Sequence, residues 1–479
     1  MAKQFPTAGS VLFDVIGKIL VWLVKQLARL LWRLLVIVVC HPRTTAAVAA
    51  MSTLVLYLGW VAVASMAGLL LVAASTWKAA HAASYEKVVG RWVRTWWRRW
   101  WAYRRQWVTV LTRCELGIHD GDDVHLPSLR EVSTTRYWDR LIIRPAVGQE
   151  LRDFEDATER LRTAFGARRA TVREIAPQLY GLNFMRVDPL EELVPATPIP
   201  ASVAEVDFRR IPIGVDEFGD PYYVSLLGGT LCASGSIGAG KASVEWNLLR
   251  GIAPATAAGL VRNVGIDPKV KELSQGRPTI FAEGDYAQEP EETVALLERL
   301  VADMKRDAKR DGDERDFYPR PGRPLTVLYV DEGAPLTRYW PRAIRSRIDD
   351  LLGLLLTQGR AVGYTVVFLI QEPTKDTFTL RDLFTRRLAM RLPTESHTDA
   401  ALIEDAVKYG ATCHQISERT PGVLFSLEDG ARSVVRARLG YVRNEDIREL
   451  VQYIETARNV IPLDSRRPGD GHTSSEKAA

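Results

Sequence analysis

"GTLCASGSIGAGKASVEWNLLRGIA", residues 229–253, places a short apolar run ahead of a glycine-rich loop and a run with helical periodicity. Strand, glycine loop, helix is the setting in which G-x-x-x-x-G-K-[ST] works as a phosphate loop. Gly235, Gly240 and Lys241 fill that pattern, but Ala242 stands where a hydroxyl is expected. Ser243 lies one residue further, turned by about 100° on the helix, so it is a poor substitute. The candidate nucleotide-binding set is Gly235, Ser236, Ile237, Gly238, Ala239, Gly240, Lys241, Ala242 and Ser243. Its backbone N–H groups would cradle phosphates at a helix N-terminus, with Lys241 on the outer phosphates.

Downstream, "LTVLYVDEGA" (325–334) is an apolar strand that ends on two carboxylates, Asp331 and Glu332. At the tip of a buried strand, such a pair suits metal-mediated phosphate chemistry. Asp331 would hold the metal, and Glu332 would act on the attacking water. The same two letters also occur in plain surface turns. A third apolar strand, "YTVVFLIQE" (364–372), carries Gln371 at its end, where a polar group can orient water or sense a terminal phosphate. Arg360, Arg386, Arg387 and Arg391 flank it, and Arg387 is the candidate for a cation acting on a neighbouring subunit's nucleotide.

The 479-residue chain has room for several domains. Its four cysteines (Cys40, Cys114, Cys232, Cys413) have neither disulfide-framework nor zinc-ligand spacing, which suits a reducing compartment. Thr44–Trp77 carries no charged residue and is long enough for one or two membrane spans. In residues 1–43, Asp14, Lys18, Lys25, Arg29 and Arg33 share one helical face, which fits an interfacial helix or the flank of a first span. Residues 78–125 include "GRWVRTWWRRWWAYRRQW", a basic, tryptophan-rich stretch. Beside a membrane segment it reads as a lipid-facing juxtamembrane region, although arginine interleaved with aromatics can also grip nucleic acid. The remainder of the chain, beyond residue 125, is expected on the cytoplasmic side of a cell membrane. Residues 126–200 read as a small α/β module and linker without a catalytic constellation, 201–460 as an α/β motor, and 461–479 as a disordered tail.

The order "GSIGAGK", "GIDPKVKEL", "VLYVDEGA", "GRAVGYTVVFLIQEPTKD", "FTRRLAMRL" resembles FtsK/SpoIIIE-type DNA translocases, and within them the membrane-anchored actinobacterial conjugative branch. Asp267, Lys269 and Glu272 match that family's D-P-K-x-x-E-L element. The resemblance covers about 211–455 and implies a RecA-like P-loop motor, a homo-hexameric ring, ATP and Mg²⁺ as cofactors, and double-stranded DNA as partner. Other transfer proteins are implied as further partners. Two departures stand out: Ala242 in place of the metal-binding hydroxyl, and a polar tail where some members carry a DNA-reading winged helix. Ala242 leaves two further readings open: a ring subunit that binds nucleotide but hydrolyses little, or a related motor for protein secretion.

Overall fold

The computed structural model describes residues 42–120, 123–312, 316–371, 373, 379–428 and 434–460. The charged face expected within 1–41 and the tail 461–479 lie outside the described residues. The chain divides into two units, one ending at Arg105 and the other beginning at Gln106.

The first unit opens with helix Pro42–Ala80, which breaks at Gly59 (φ 79°, ψ 153°), a backbone conformation that glycine alone adopts without strain. Val55–Ala80 spans 26 residues with a mean hydropathy of 2.2, and none of its most apolar stretch is buried within the protein. Beyond the break, residues 60–80 rise by ~31 Å, enough to cross a hydrocarbon layer of about 30 Å. Among the described residues it is the one helix long and apolar enough to do so. Helical structure resumes from Ala82 to Arg104, with wider turns at Glu86–Gly90 and Arg98–Arg104. Here Trp97 stacks on Trp101 at 5.3 Å, and the Arg104 guanidinium lies over Trp100 at 4.7 Å. Trp92, Trp96 and Trp97 are exposed. An exposed belt of aromatic rings and cations suits the headgroup level of a membrane.

The second unit begins with helix Trp107–Arg113, whose Trp107, Val110 and Leu111 are buried. A hairpin of β1 (Ile118–Asp120) and β2 (Asp123–His125) follows. Next comes a four-stranded antiparallel sheet of β3 (Ser128–Thr134), β4 (Trp138–Arg144), β5 (Arg169–Ala176) and β6 (Leu179–Met185), in the order β3-β4-β6-β5. Helices Leu151–Asp156 and Thr158–Ala164 connect β4 to β5 and bury Phe154 and Leu161.

The rest forms one ten-stranded sheet. Its strands are β7 (Ile211–Asp216), β8 (Pro221–Val224), β9 (Leu231–Ser234), β10 (Val261–Ile266), β11 (Phe281–Ala287), β12 (Leu325–Val330), β13 (Tyr364–Ile370), β14 (Arg386–Ala389), β15 (Val423–Glu428) and β16 (Val435–Leu439). The order is β11-β10-β12-β13-β9-β14-β15-β16-β7-β8. Pairings from β11 to β14 are all parallel, and those from β14 to β8 are antiparallel. Parallel strands need helical crossovers, and these cover both faces. Leu325, Val327 and Tyr329 of β12 join the core under helices Ala242–Gly251 and Asn444–Val460. Leu328 and Val330 point the other way, into the core under helices Pro290–Asp311 and Arg342–Gln358. Every residue of β12 and β13 is therefore buried, which explains why both read as unbroken apolar runs. The phosphate-loop strand β9 and the acid-bearing strand β12 are separated by β13, the RecA-like arrangement.

Candidate functional site

Register decides where the chemistry gathers. Ile266 pairs with Val330, Val330 with Phe368, and Ile370 with Ser234, so β10, β12, β13 and β9 end nearly level. The residues just past those strand ends therefore emerge at one edge of the sheet. They are Asp267 to Lys269, Asp331-Glu332, Gln371 and the loop from Gly235 to Lys241.

The loop is shaped by glycine at two points. Gly238 and Gly240 have φ of +74° and +96°. At Gly240 a Cβ would also meet the Gly422 nitrogen at 2.9 Å, so the close backbone approach admits no side chain. The loop is pinned at both shoulders: Gly235 N donates to Ile370 O at 3.2 Å, and Gly422 N donates to Ala239 O at 2.8 Å. Helix Ala242–Gly251 then begins directly behind Lys241. Lys241 Nζ donates to the Gly235 carbonyl at 2.7 Å, curling back over its own loop. Burial brings its ammonium down to about 8, against the opposing pull of Glu332.

Glu332 is 2% exposed and held at both oxygens. Lys269 Nζ donates to its Oε2 at 2.9 Å, Gln371 Nε2 donates to the same oxygen at 2.5 Å, and Ala334 N donates to Oε1 at 3.3 Å. Thus Gln371 reaches the acid across the β12–β13 boundary. Asp331, 7% exposed, is pushed up to about 7, first by burial and then by the carboxylates of Asp267, Glu272 and Glu332. Asp267 is fully buried. Its Oδ2 accepts from Lys271 N, Leu273 N and Ser274 N at 3.0, 3.1 and 3.3 Å and from the Tyr286 hydroxyl at 3.2 Å. Its Oδ1 is buried without a partner.

Glu245, one turn into the helix, lies outside every motif read from the sequence. It is wholly buried, neither of its carboxylate oxygens has a hydrogen-bond partner, and burial with Asp331 nearby holds its carboxyl well above the usual range. Among the described residues no group of three or more His, Cys, Asp or Glu is arranged to hold a metal by itself. The donor set nonetheless fits a magnesium ion shared with phosphates. Carboxylate charge is in excess around Asp331, buried oxygens of Asp267 and Glu245 are orphaned, and Mg²⁺ commonly takes only one or two protein carboxylates. Ala242 supplies no oxygen to that set.

The arginines separate. Arg387 lies along β14 opposite Cys232, pairs with Asp382 at 2.9 Å, and is not brought to this site within the chain. Arg391 is: its carbonyl accepts from Ser236 N at 2.9 Å and its Nη2 donates to Ile237 O at 2.9 Å. Arg386 donates to the Tyr223 carbonyl at 2.8 Å, and Arg360 lines a separate cavity with Arg209 and Phe317. Glu245 is the member that motif reading passed over, while Lys269 was matched to a family element without a role in the site. For Lys269 the "IDPKVKEL" element was a signal; for Glu245 none existed beyond a charge on an apolar helix face.

No family model matches the chain. Transfer protein TraSA of Streptomyces ambofaciens is 30% identical over 316 residues, 59% of this chain and 71% of that protein. The DNA translocase FtsK of Mycobacterium tuberculosis (strain ATCC 25618 / H37Rv) is 26% identical over 249 residues, 46% of this chain and 28% of that one. FtsK of Corynebacterium glutamicum is 28% identical over 288 residues, 54% and 29% of the two chains. The chain thus spans under a third of the length of these two FtsK relatives. Among solved structures, the conjugation coupling protein TcpA with ATPγS aligns over 73% of this chain and 98% of that one, at 12% identity and a TM-score of 0.45.

Proposed function

Because this chain belongs to the FtsK/SpoIIIE-type family of transfer and translocation proteins, we propose that it is a membrane-anchored, ATP-driven motor for double-stranded DNA. Its work is the conjugative transfer of a plasmid or integrative element, as a homo-hexameric ring acting with other transfer proteins. The observation that carries this reading is the meeting of Lys241, Asp331, Glu332 and Gln371 at one sheet edge. That arrangement supplies what phosphoryl transfer to water needs.

Backbone N–H groups of the loop and the Lys241 ammonium would hold the triphosphate. Asp331, with water and phosphate oxygens, would hold Mg²⁺, which when bound neutralises phosphate charge. Gln371 and Glu332 place and deprotonate the attacking water. The water oxygen bonds to the γ-phosphorus, the bond to the β–γ bridging oxygen breaks with its electron pair leaving on ADP, and the proton passes to Glu332. DNA contacts are to phosphates, hence salt-dependent and largely sequence-neutral. The exposed tryptophan–arginine belt beside Val55–Ala80 faces lipid, and the motor lies on the cytoplasmic side.

The test is DNA-stimulated ATP hydrolysis by the full chain in lipid nanodiscs, beside Glu332→Gln and Ala242→Ser. The parent is expected to exceed Glu332→Gln by about 10²–10⁴-fold, the range of a general base. Ala242→Ser is expected to raise turnover by restoring a metal-facing hydroxyl. A parent no faster than Glu332→Gln overturns the motor and leaves a nucleotide-binding ring subunit, one of the readings that Ala242 leaves open.

A further inference from the structure

The turn that carries Lys269 is built with unusual effort. Val270, next to it, sits at φ +54°, a left-handed conformation that β-branched residues rarely adopt. Such strain persists only where the surroundings over-determine it. Here they do: the Asp267 carbonyl accepts from Val270 N at 3.1 Å, and the Asp267 carboxylate takes three further backbone N–H groups of the same turn. The outcome is one half-exposed ammonium (50% side-chain exposure) set 2.9 Å from the nearly buried Glu332 carboxylate.

We propose that Lys269 is a second phosphate-facing cation of this site, which holds Glu332 through an ion pair and exchanges that carboxylate for the γ-phosphate of a bound nucleoside triphosphate. The inference rests on the nucleotide-site reading under Proposed function. Its first support is the double occupation of Glu332 Oε2, which accepts from both Lys269 and Gln371. With two donors already on it, Oε2 offers no lone pair to a water, so opening that oxygen to water requires one of the two to leave. Gln371 is anchored at the end of the fully buried strand β13. Lys269 is the mobile one, a flexible four-carbon stem ending in a point charge that three acceptors can share.

Its second support is location. Lys269, Glu332 and Gln371 line one cavity of about 230 Å³. Lys269 is also close enough to disfavour the charge on Lys241 and to favour that on Asp331. It therefore lies within electrostatic reach of both the loop cation and the acid pair. A γ-phosphate carries more charge than one carboxylate and draws the ammonium across. The same movement opens Glu332 Oε2 to water and adds positive charge at the terminal phosphate. A diphosphate has no γ-phosphate, so it leaves the Lys269–Glu332 pair in place.

The experiment measures binding of fluorescent ATP and ADP analogues to the full chain in nanodiscs, comparing the parent with Lys269→Met and Lys269→Arg. Lys269→Met is expected to weaken ATP about tenfold, equivalent to about 1.4 kcal/mol, while leaving ADP within about twofold. Unchanged ADP affinity also reports that the variant is folded. Lys269→Arg is expected to restore most of the ATP affinity but less of the kcat, since a forked guanidinium releases a carboxylate less readily. An equal loss for ATP and ADP, or no loss for either, overturns the role of Lys269 and leaves the nucleotide site standing. A parent that binds neither nucleotide overturns both.

Discussion

In the four-stranded module, the fully buried Asp139 carboxylate meets the Arg186 guanidinium at 2.7 Å, and that guanidinium also donates to the Phe165 carbonyl at 2.5 Å. At the end of the parallel strands, by contrast, Glu245 is equally buried with neither oxygen partnered, and Asp267 has one oxygen orphaned. The two regions belong to the same unit and all three carboxylates are fully buried, so the difference is not one of solvent access. A scaffold stabilises its buried charges by pairing them. If the strand-end site receives phosphates and a cation as proposed, it keeps charge partly uncompensated until they arrive, and stability is what that readiness costs.

Three measurements test this contrast. The largest effect is expected at the module pair. Asp139→Ala strands Arg186 and should cost about 3 kcal/mol in chemical unfolding, with nucleotide affinity unchanged. A loss below about 1 kcal/mol would mean that the module does not depend on its buried pair.

Next is Glu245→Gln. The folded carboxyl titrates well above its ordinary 4.5, so its contribution to stability is fully present below pH 4.5 and is lost as pH rises toward the folded value. Each pH unit in that window costs up to about 1.4 kcal/mol. The variant should therefore be more stable than the parent at pH 8, with the gap closing near pH 4.5. A gap that stays constant with pH would show that Glu245 is compensated after all. The smallest effect is expected at the Arg160–Glu115 pair, whose side chains are 46% and 79% exposed. Glu115→Gln should change stability by less than about 0.5 kcal/mol. A larger change would show that surface pairing also supports the module.

The strand, glycine loop and helix at 229–253, the acids at the end of β12 and the apolar span were legible because each is a local pattern. Glycines at fixed offsets, carboxylates at the end of an apolar run and a long uncharged stretch all constrain structure within a few residues. The module's central elements were legible for the same reason: "YWDRLIIRPA" contains β4, and "RATVREIA" is β5. Less of the antiparallel half of the large sheet could be read, since β7, β8, β15 and β16 are short and the two hairpins they form are joined by a long-range pairing, Ala437 with Asp216. The contrast between Arg391 and Arg387 was also hidden, because β14 carries one along the strand and leaves the other against the phosphate loop.

Taken alone, the sequence determined the kind of chemistry, since residue types at short spacing set which groups a loop or strand tip can offer. Only the tertiary structure decided which of those groups meet. The sheet places β10 beside β12 and β13 beside β9, out of chain order. That shuffle lets Lys269 and Gln371 close on one carboxylate from 63 and 39 residues away. No local pattern encodes such a contact, because it depends on strand order and register, which the packing of both cores settles together.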